Sequence, residues 1–78
     1  MVGEMGSATL VGPSIIMLKF GSARMRLCLG AANSQDVEKR MQAAMREIGQ
    51  LKGVGSAANL WTQALAIFKQ QGFYQVDT

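Results

Sequence analysis

Two short β-prone runs that meet at a glycine are the feature that most constrains the fold of this chain. The segments Ser14–Phe20 (SIIMLKF) and Ala23–Leu29 (ARMRLCL) are separated by Gly21-Ser22. A two-residue loop with glycine first is typical of a type II′ turn, which joins two antiparallel strands tightly. We therefore predict a β-hairpin in which Phe20 lies opposite Ala23.

The side-chain pattern supports this register. Successive side chains of a strand point to opposite faces of a sheet, and directly opposed residues share a face. With a two-residue loop, one face of the hairpin is wholly apolar. Its members are Ile16, Leu18, Phe20, Ala23, Met25, Leu27 and Leu29. A three-residue loop would place Phe20 opposite Arg24 and mix charge into that face, so the shorter loop is favoured.

The other face of the hairpin is positively charged near the turn. The predicted register places Lys19 opposite Arg24, with Arg26 one step along and no acid nearby. Like charges opposed across strands are destabilising. The arrangement therefore indicates either solvated charges that protect the strands from edge-to-edge aggregation, or a docking site for phosphate groups or an acidic protein surface.

Away from the turn, that same face becomes apolar through Ile15, Met17 and Cys28. An isolated two-stranded sheet is only marginally stable, and one layer of helices can cover only one of its sides. Either the terminal segments or a second subunit must cover the other side, and we favour the second subunit. We predict an oligomer interface at these three residues together with Trp61.

Two helices are predicted after the hairpin. Asn33 or Ser34 can cap the first, and an apolar stripe with spacings of three and four follows. The stripe contains Val37, Met41, Ala44, Met45, Ile48 and Leu51, and Gly53-Val54-Gly55 ends the helix. Ser56 caps a second, more apolar helix that runs to about Gln71, where Gly72 suits a left-handed cap.

The ends of the chain carry weaker signals. The first seven residues lack periodicity and are expected to be mobile or loosely docked. Ala8–Val11 is a candidate short strand ended by Gly12-Pro13, and Phe73–Val76 is β-prone but could equally form a third strand or a packed tail. We expect one small α+β domain over residues 1–78: a β-hairpin, two helices, and short terminal strands as an option.

Composition excludes several kinds of chemistry. The chain of 78 residues has no His and one Cys, so Ser–His or Cys–His catalysis cannot be assembled within it, and a four-ligand zinc site lacks its ligands. The string Gly53-Val54-Gly55-Ser56-Ala57-Ala58 matches a phosphate-binding G-x-G-x-x-A pattern. It follows a helix rather than a strand, so we interpret it as a loop between helices. No catalytic residue, metal or cofactor is predicted.

These patterns leave two main functional hypotheses. The first is a non-enzymatic protein-interaction or adaptor module that acts as a homo-oligomer, most simply a dimer, and binds another protein through its hairpin surface or a helical groove, with an acidic protein as one candidate partner. The alternative is a small basic nucleic-acid-binding or regulatory protein, since the net charge is +3 and Lys39, Arg40 and Arg46 could assist the hairpin cations. An enzyme with an active site shared between subunits is a third and less favoured reading.

The expected location is cytoplasmic. A single Cys is typical of a reducing compartment, because small secreted domains usually carry an even set of cysteines. The best apolar stretch, residues 8–20, is broken by Gly12, Pro13 and Lys19 and falls short of the ~18 residues that a membrane span requires. We therefore expect no membrane segment.

Overall fold

The computed structural model describes residues 6–30 and 33–76 and shows an α+β domain with four strands and two helices. The strands are β1 (Ser7–Leu10), β2 (Ile15–Phe20), β3 (Ala23–Cys28) and β4 (Tyr74–Gln75). The helices are α1 (Ser34–Gly49) and α2 (Ala57–Gln70), both between β3 and β4 in the chain. All neighbouring strands are antiparallel, in the order β1-β2-β3-β4.

The central hairpin has the predicted register. Phe20 pairs with Ala23, and the pairing continues without a bulge to Ile15 opposite Cys28. Gly21 has a φ of 61°, a value that a residue without Cβ adopts at little cost. The two-residue loop is therefore confirmed, and it fixes which side chains face the helices.

The terminal segments extend the sheet at its two edges. β1 pairs with β2 from Ser7 opposite Lys19 to Leu10 opposite Ile16, and β4 pairs with β3 through Tyr74 opposite Cys28. The β4 ladder continues with a 3.0 Å hydrogen bond from the Val76 N–H to the Arg26 carbonyl. β1 thus begins inside the segment expected to be loosely docked. Residues 1–5, the rest of that segment, lie outside the described residues.

Both helices begin at the predicted caps. The Asn33 side chain accepts a 2.8 Å hydrogen bond from the Asp36 N–H, and Ser56 Oγ accepts one of 3.1 Å from the Asn59 N–H. The predicted end of α1 was too late, because the helix stops at Gly49 with Gln50 as its cap. Since glycine is a poor helix former, this position ends the helix before the apolar stripe is complete.

The hydrophobic core lies between one face of the sheet and the two helices. The fully buried side chains of greatest volume are Phe68, Ile16, Leu18, Leu27 and Val37. The helix-facing side of the sheet is thus the apolar face predicted from the hairpin. Phe68 and Phe73 pack edge to face, with ring centroids 5.3 Å apart, so the segment leading into β4 is tied to the core. Neither helix in the described part of the chain has the length and apolar character that a membrane crossing requires.

Candidate functional site

The face of the sheet that points away from the helices, here called the outer face, is the first candidate site. Because directly opposed residues share a face, its side chains form three rows across the strands. The cationic row, nearest the β2–β3 turn, contains Ser7, Lys19 and Arg24; the middle row contains Thr9, Met17, Arg26 and Val76; the apolar row contains Val11, Ile15, Cys28 and Tyr74. The face therefore changes from charged to apolar along the strands.

The apolar row exposes large hydrophobic side chains at both edges of the sheet. Val11 is 54% exposed and Tyr74 is 53% exposed, and both belong to this row. Ile15 and Cys28, between them, are half-buried. The terminal strands widen the sheet without folding over this face, so within residues 6–30 and 33–76 the row has no covering element.

Val11 and Tyr74 are the residues of this row that the sequence did not assign. Tyr74 reaches the outer face because β4 pairs with β3, a contact between residues separated by two helices in the chain. The pKa of the Tyr74 phenol is raised from the ordinary 10.0 by its hydrogen bond with Cys28, then by the electrostatic interaction with Cys28 and by desolvation. The Cys28 sulfur also lies 3.9 Å from Ser14 Oγ. The thiol therefore sits in a polar contact within an otherwise apolar row.

The cationic cluster, defined as Lys19, Arg24 and Arg26, lies where the sequence predicted it. Lys19 is directly opposite Arg24, and all three side chains are exposed. Every acid among the described residues belongs to α1, on the other side of the sheet; these are Asp36, Glu38 and Glu47. Within residues 6–30 and 33–76, the outer face thus carries positive charge without a neighbouring carboxylate.

The helix cations proposed to assist the cluster lie in the helix layer instead. Lys39, Arg40 and Arg46 belong to α1 and are exposed there. The Arg40 side chain is engaged, since its Nε lies 3.2 Å from Asp36 Oδ2 and its Nη1 donates a 2.8 Å hydrogen bond to the Gln71 carbonyl. A single flat partner on the outer face would not reach these three residues.

Trp61 does not join the other predicted interface residues. Its ring packs against Phe20 on the helix side of the sheet, edge to face with centroids 5.5 Å apart, while Ile15, Met17 and Cys28 point to the outer face. Trp61 and Phe20 line an open groove of about 1130 Å³ between the β2–β3 turn and the loop that joins the helices. This groove is the second candidate site.

The groove is lined by apolar, small and uncharged residues. Its other walls come from Ile48, Leu51, Val54, Leu60, the turn residues 21–23 and the segment 53–58. The G-x-G-x-x-A string lies here, and Ser56 within it caps α2, so the string is a connection between helices as expected. No group of three acidic, cysteine or histidine side chains in the described ranges is placed to hold a metal ion.

Comparison with known proteins adds no relative to this description. No family model matches the chain, and no match was found among curated proteins or solved structures. The class of protein is therefore defined by the fold alone: a four-stranded antiparallel sheet with two helices on one face and an outer face that no described element covers.

Proposed function

We propose that this protein is a non-enzymatic interaction module that acts as a homo-oligomer, most simply a dimer formed through the apolar row of the outer face. One observation carries the proposal: the exposed Tyr74 lies in the same row as Ile15 and Cys28, and the exposed Val11, which follows β1, donates its N–H to the Ile15 carbonyl at the end of that row. Contiguous exposed apolar surface rimmed by charge is typical of protein interfaces.

A second copy is the occupant that this row fits best. A chain of 78 residues buries only about 60% of its unfolded surface on folding, so additional burial between copies is a common source of stability. A two-fold axis through the apolar row would place the same row of each copy against the other.

This arrangement leaves the cationic row free. Ile15 and Lys19 are four residues apart on one strand, which corresponds to about 13 Å along the sheet. A partner centred on Ile15 therefore covers the apolar row and leaves the turn end, with Lys19 and Arg24, open to solvent. The proposal also places the module in the cytoplasm, because the single thiol, Cys28, needs no oxidising compartment.

The experiment is a measurement of mass in solution, by light scattering during gel filtration, at micromolar concentration. The wild type is expected to elute as a dimer and the Ile15→Gln variant as a monomer. The matched control is Ala66→Gln, which introduces the same side chain at an exposed position of α2 and is expected to leave the dimer intact. A monomeric wild type, or a dimeric Ile15→Gln variant, would refute the proposed interface.

The fluorescence of Trp61 distinguishes the proposed interface from an interface at the groove. It is the single tryptophan of the chain, and it lies in the groove rather than on the outer face. If copies associate through the outer face, its fluorescence spectrum stays unchanged as the protein is diluted from dimer to monomer. A spectral shift on dilution would instead place the interface at the groove.

A further inference from the structure

We propose that the cationic cluster binds the phosphate backbone of a nucleic acid, without reading its sequence. This function goes beyond self-association and uses the opposite end of the outer face. Lys19 and Arg24 stand about 13 Å from the apolar row, two row steps of two residues each, and Arg26 stands one step, about 7 Å, from it. The Lys19–Arg24 end of the cluster can therefore be occupied while the apolar row is covered.

The geometry of the hairpin holds three cations close together on a flat surface. Lys19 and Arg24 are direct cross-strand partners, whose Cβ atoms are about 5 Å apart in such pairs. Arg26 follows Arg24 by two residues on the same strand, so it lies about 7 Å further along and points the same way. Folding thus brings together three like charges that can lie further apart in the unfolded chain.

Nothing in the described part of the chain neutralises these charges. The ion pair found within residues 6–30 and 33–76 joins Asp36 to Arg40 on α1, on the far side of the sheet. The acids of α1 number three, as do its cations, and Lys52 and Lys69 add two exposed charges outside the sheet. The outer face carries three positive charges with no acid beside them among the described residues, so it would attract a polyanion.

The surroundings of the cluster favour a nucleic acid over an acidic protein. Protein interfaces depend on buried aromatic or aliphatic anchors at their centre. The exposed neighbours of Lys19 and Arg24 are small or polar, namely Ser7, Gly21, Ser22 and Ala23, while Arg26 lies opposite the half-buried Met17. Phosphate contacts alone, in contrast, are sufficient for non-specific nucleic-acid binding, and the arginine fork matches phosphate oxygens well.

One aromatic side chain borders the cluster. Tyr74 lies in the apolar row, two rows from Arg24 and one row from Arg26. Stacking of a base on an aromatic ring tolerates any sequence, so we expect binding that depends strongly on salt and weakly on sequence.

The test is a titration of a fluorescently labelled mixed-sequence DNA duplex, followed by anisotropy between 50 and 200 mM salt. Because binding releases counterions, the logarithm of the binding constant is expected to fall linearly with the logarithm of the salt concentration. Three phosphate contacts predict a slope of about −2.7, which corresponds to binding about 40-fold weaker at the higher salt. The two clusters of the proposed dimer face opposite directions, so one duplex contacts one cluster.

Single neutral substitutions sharpen the test. Arg24→Gln and Arg26→Gln are each expected to reduce the slope by about 0.9, since each removes one phosphate contact. Lys39→Gln, which removes the same charge from an exposed site on α1, is the matched control and is expected to leave the slope unchanged. Circular dichroism of each variant confirms that it is folded.

Several outcomes would overturn the proposal. A wild type that does not bind the duplex at 50 mM salt would refute it. A Lys39→Gln variant whose slope falls as much as that of Arg24→Gln would indicate attraction to net charge alone. Binding of polyglutamate but not of the duplex would assign the cluster to an acidic protein. The Ile15→Gln variant separates this proposal from the dimer, because the slope is expected to persist in the monomer.

Discussion

Replacing Lys19 by Glu tests whether the cationic cluster is maintained at the expense of stability. In the wild type, Lys19 and Arg24 are directly opposed, and like charges in such a pair destabilise the sheet. Lys19→Glu converts the repulsion into an attraction at the same position. The variant is therefore expected to be more stable and to lose duplex binding.

The size of the gain follows from the pair geometry. Removing a like-charge pair and adding an opposite-charge pair each contribute a few tenths of a kcal/mol at an exposed site, so the total is about 1 kcal/mol. For a domain of 60–100 residues this corresponds to a rise in Tm of about 4–8 °C. The gain should shrink in 1 M salt, where the Debye length falls to about 3 Å.

The assay is thermal denaturation followed by circular dichroism, with every protein carrying Ile15→Gln so that dimer formation does not contribute to Tm. A double-mutant cycle isolates the pair. In an Arg24→Ser background, the gain from Lys19→Glu is expected to disappear. A folded Lys19→Glu variant with an unchanged or lower Tm, or a gain that persists without Arg24, would show that the opposed charges do not interact as the register requires.

Three further predictions concern packing, capping and titration. Phe68→Ala is expected to lower the free energy of unfolding by about 3–5 kcal/mol in urea denaturation, because Phe68 is fully buried. Ser56→Ala is expected to cost about 1 kcal/mol in the same assay, since the Asn59 N–H loses its acceptor, and Ser56→Asp should restore most of it. Ultraviolet titration should give a Tyr74 pKa above 10.0, and this pKa should fall in the Cys28→Ala variant. Because folding raises the pKa, the contribution of Tyr74 to stability is present below pH 10 and is lost as the pH rises through the folded-state pKa.

The central hairpin and both helix starts were predictable because each depends on neighbouring residues. Gly21-Ser22 sets the turn, and the alternation of apolar and charged residues independently selects the same register. The caps at Asn33 and Ser56 use side chains within three residues of the N–H groups that they accept from. When two local signals agree, few other local structures remain compatible with the sequence.

The remaining features depend on contacts between distant parts of the chain. Phe73–Val76 has the composition of either a strand or a packed tail, and the choice is made by hydrogen bonds to β3. Those bonds bring Tyr74 to the outer face, so this part of the candidate site could not be found by periodicity. The groove at Trp61 likewise depends on the path of the loop between the helices, where Gly53 and Gly55 both adopt positive φ.

The two proposed surfaces should respond differently to salt. In a dimer centred on Ile15, each Lys19 stands about 13 Å from the axis and each Arg26 about 7 Å from it, so the two Lys19 residues are about 26 Å apart and the two Arg26 residues about 13 Å. Both separations exceed the Debye length of about 8–10 Å at physiological salt, and repulsion between the clusters is largely screened. The dimer Kd from sedimentation equilibrium is therefore expected to change little between 50 and 200 mM salt, whereas duplex binding weakens about 40-fold. A dimer that strengthens steeply with salt would show that the clusters lie close together, which the proposed packing does not allow.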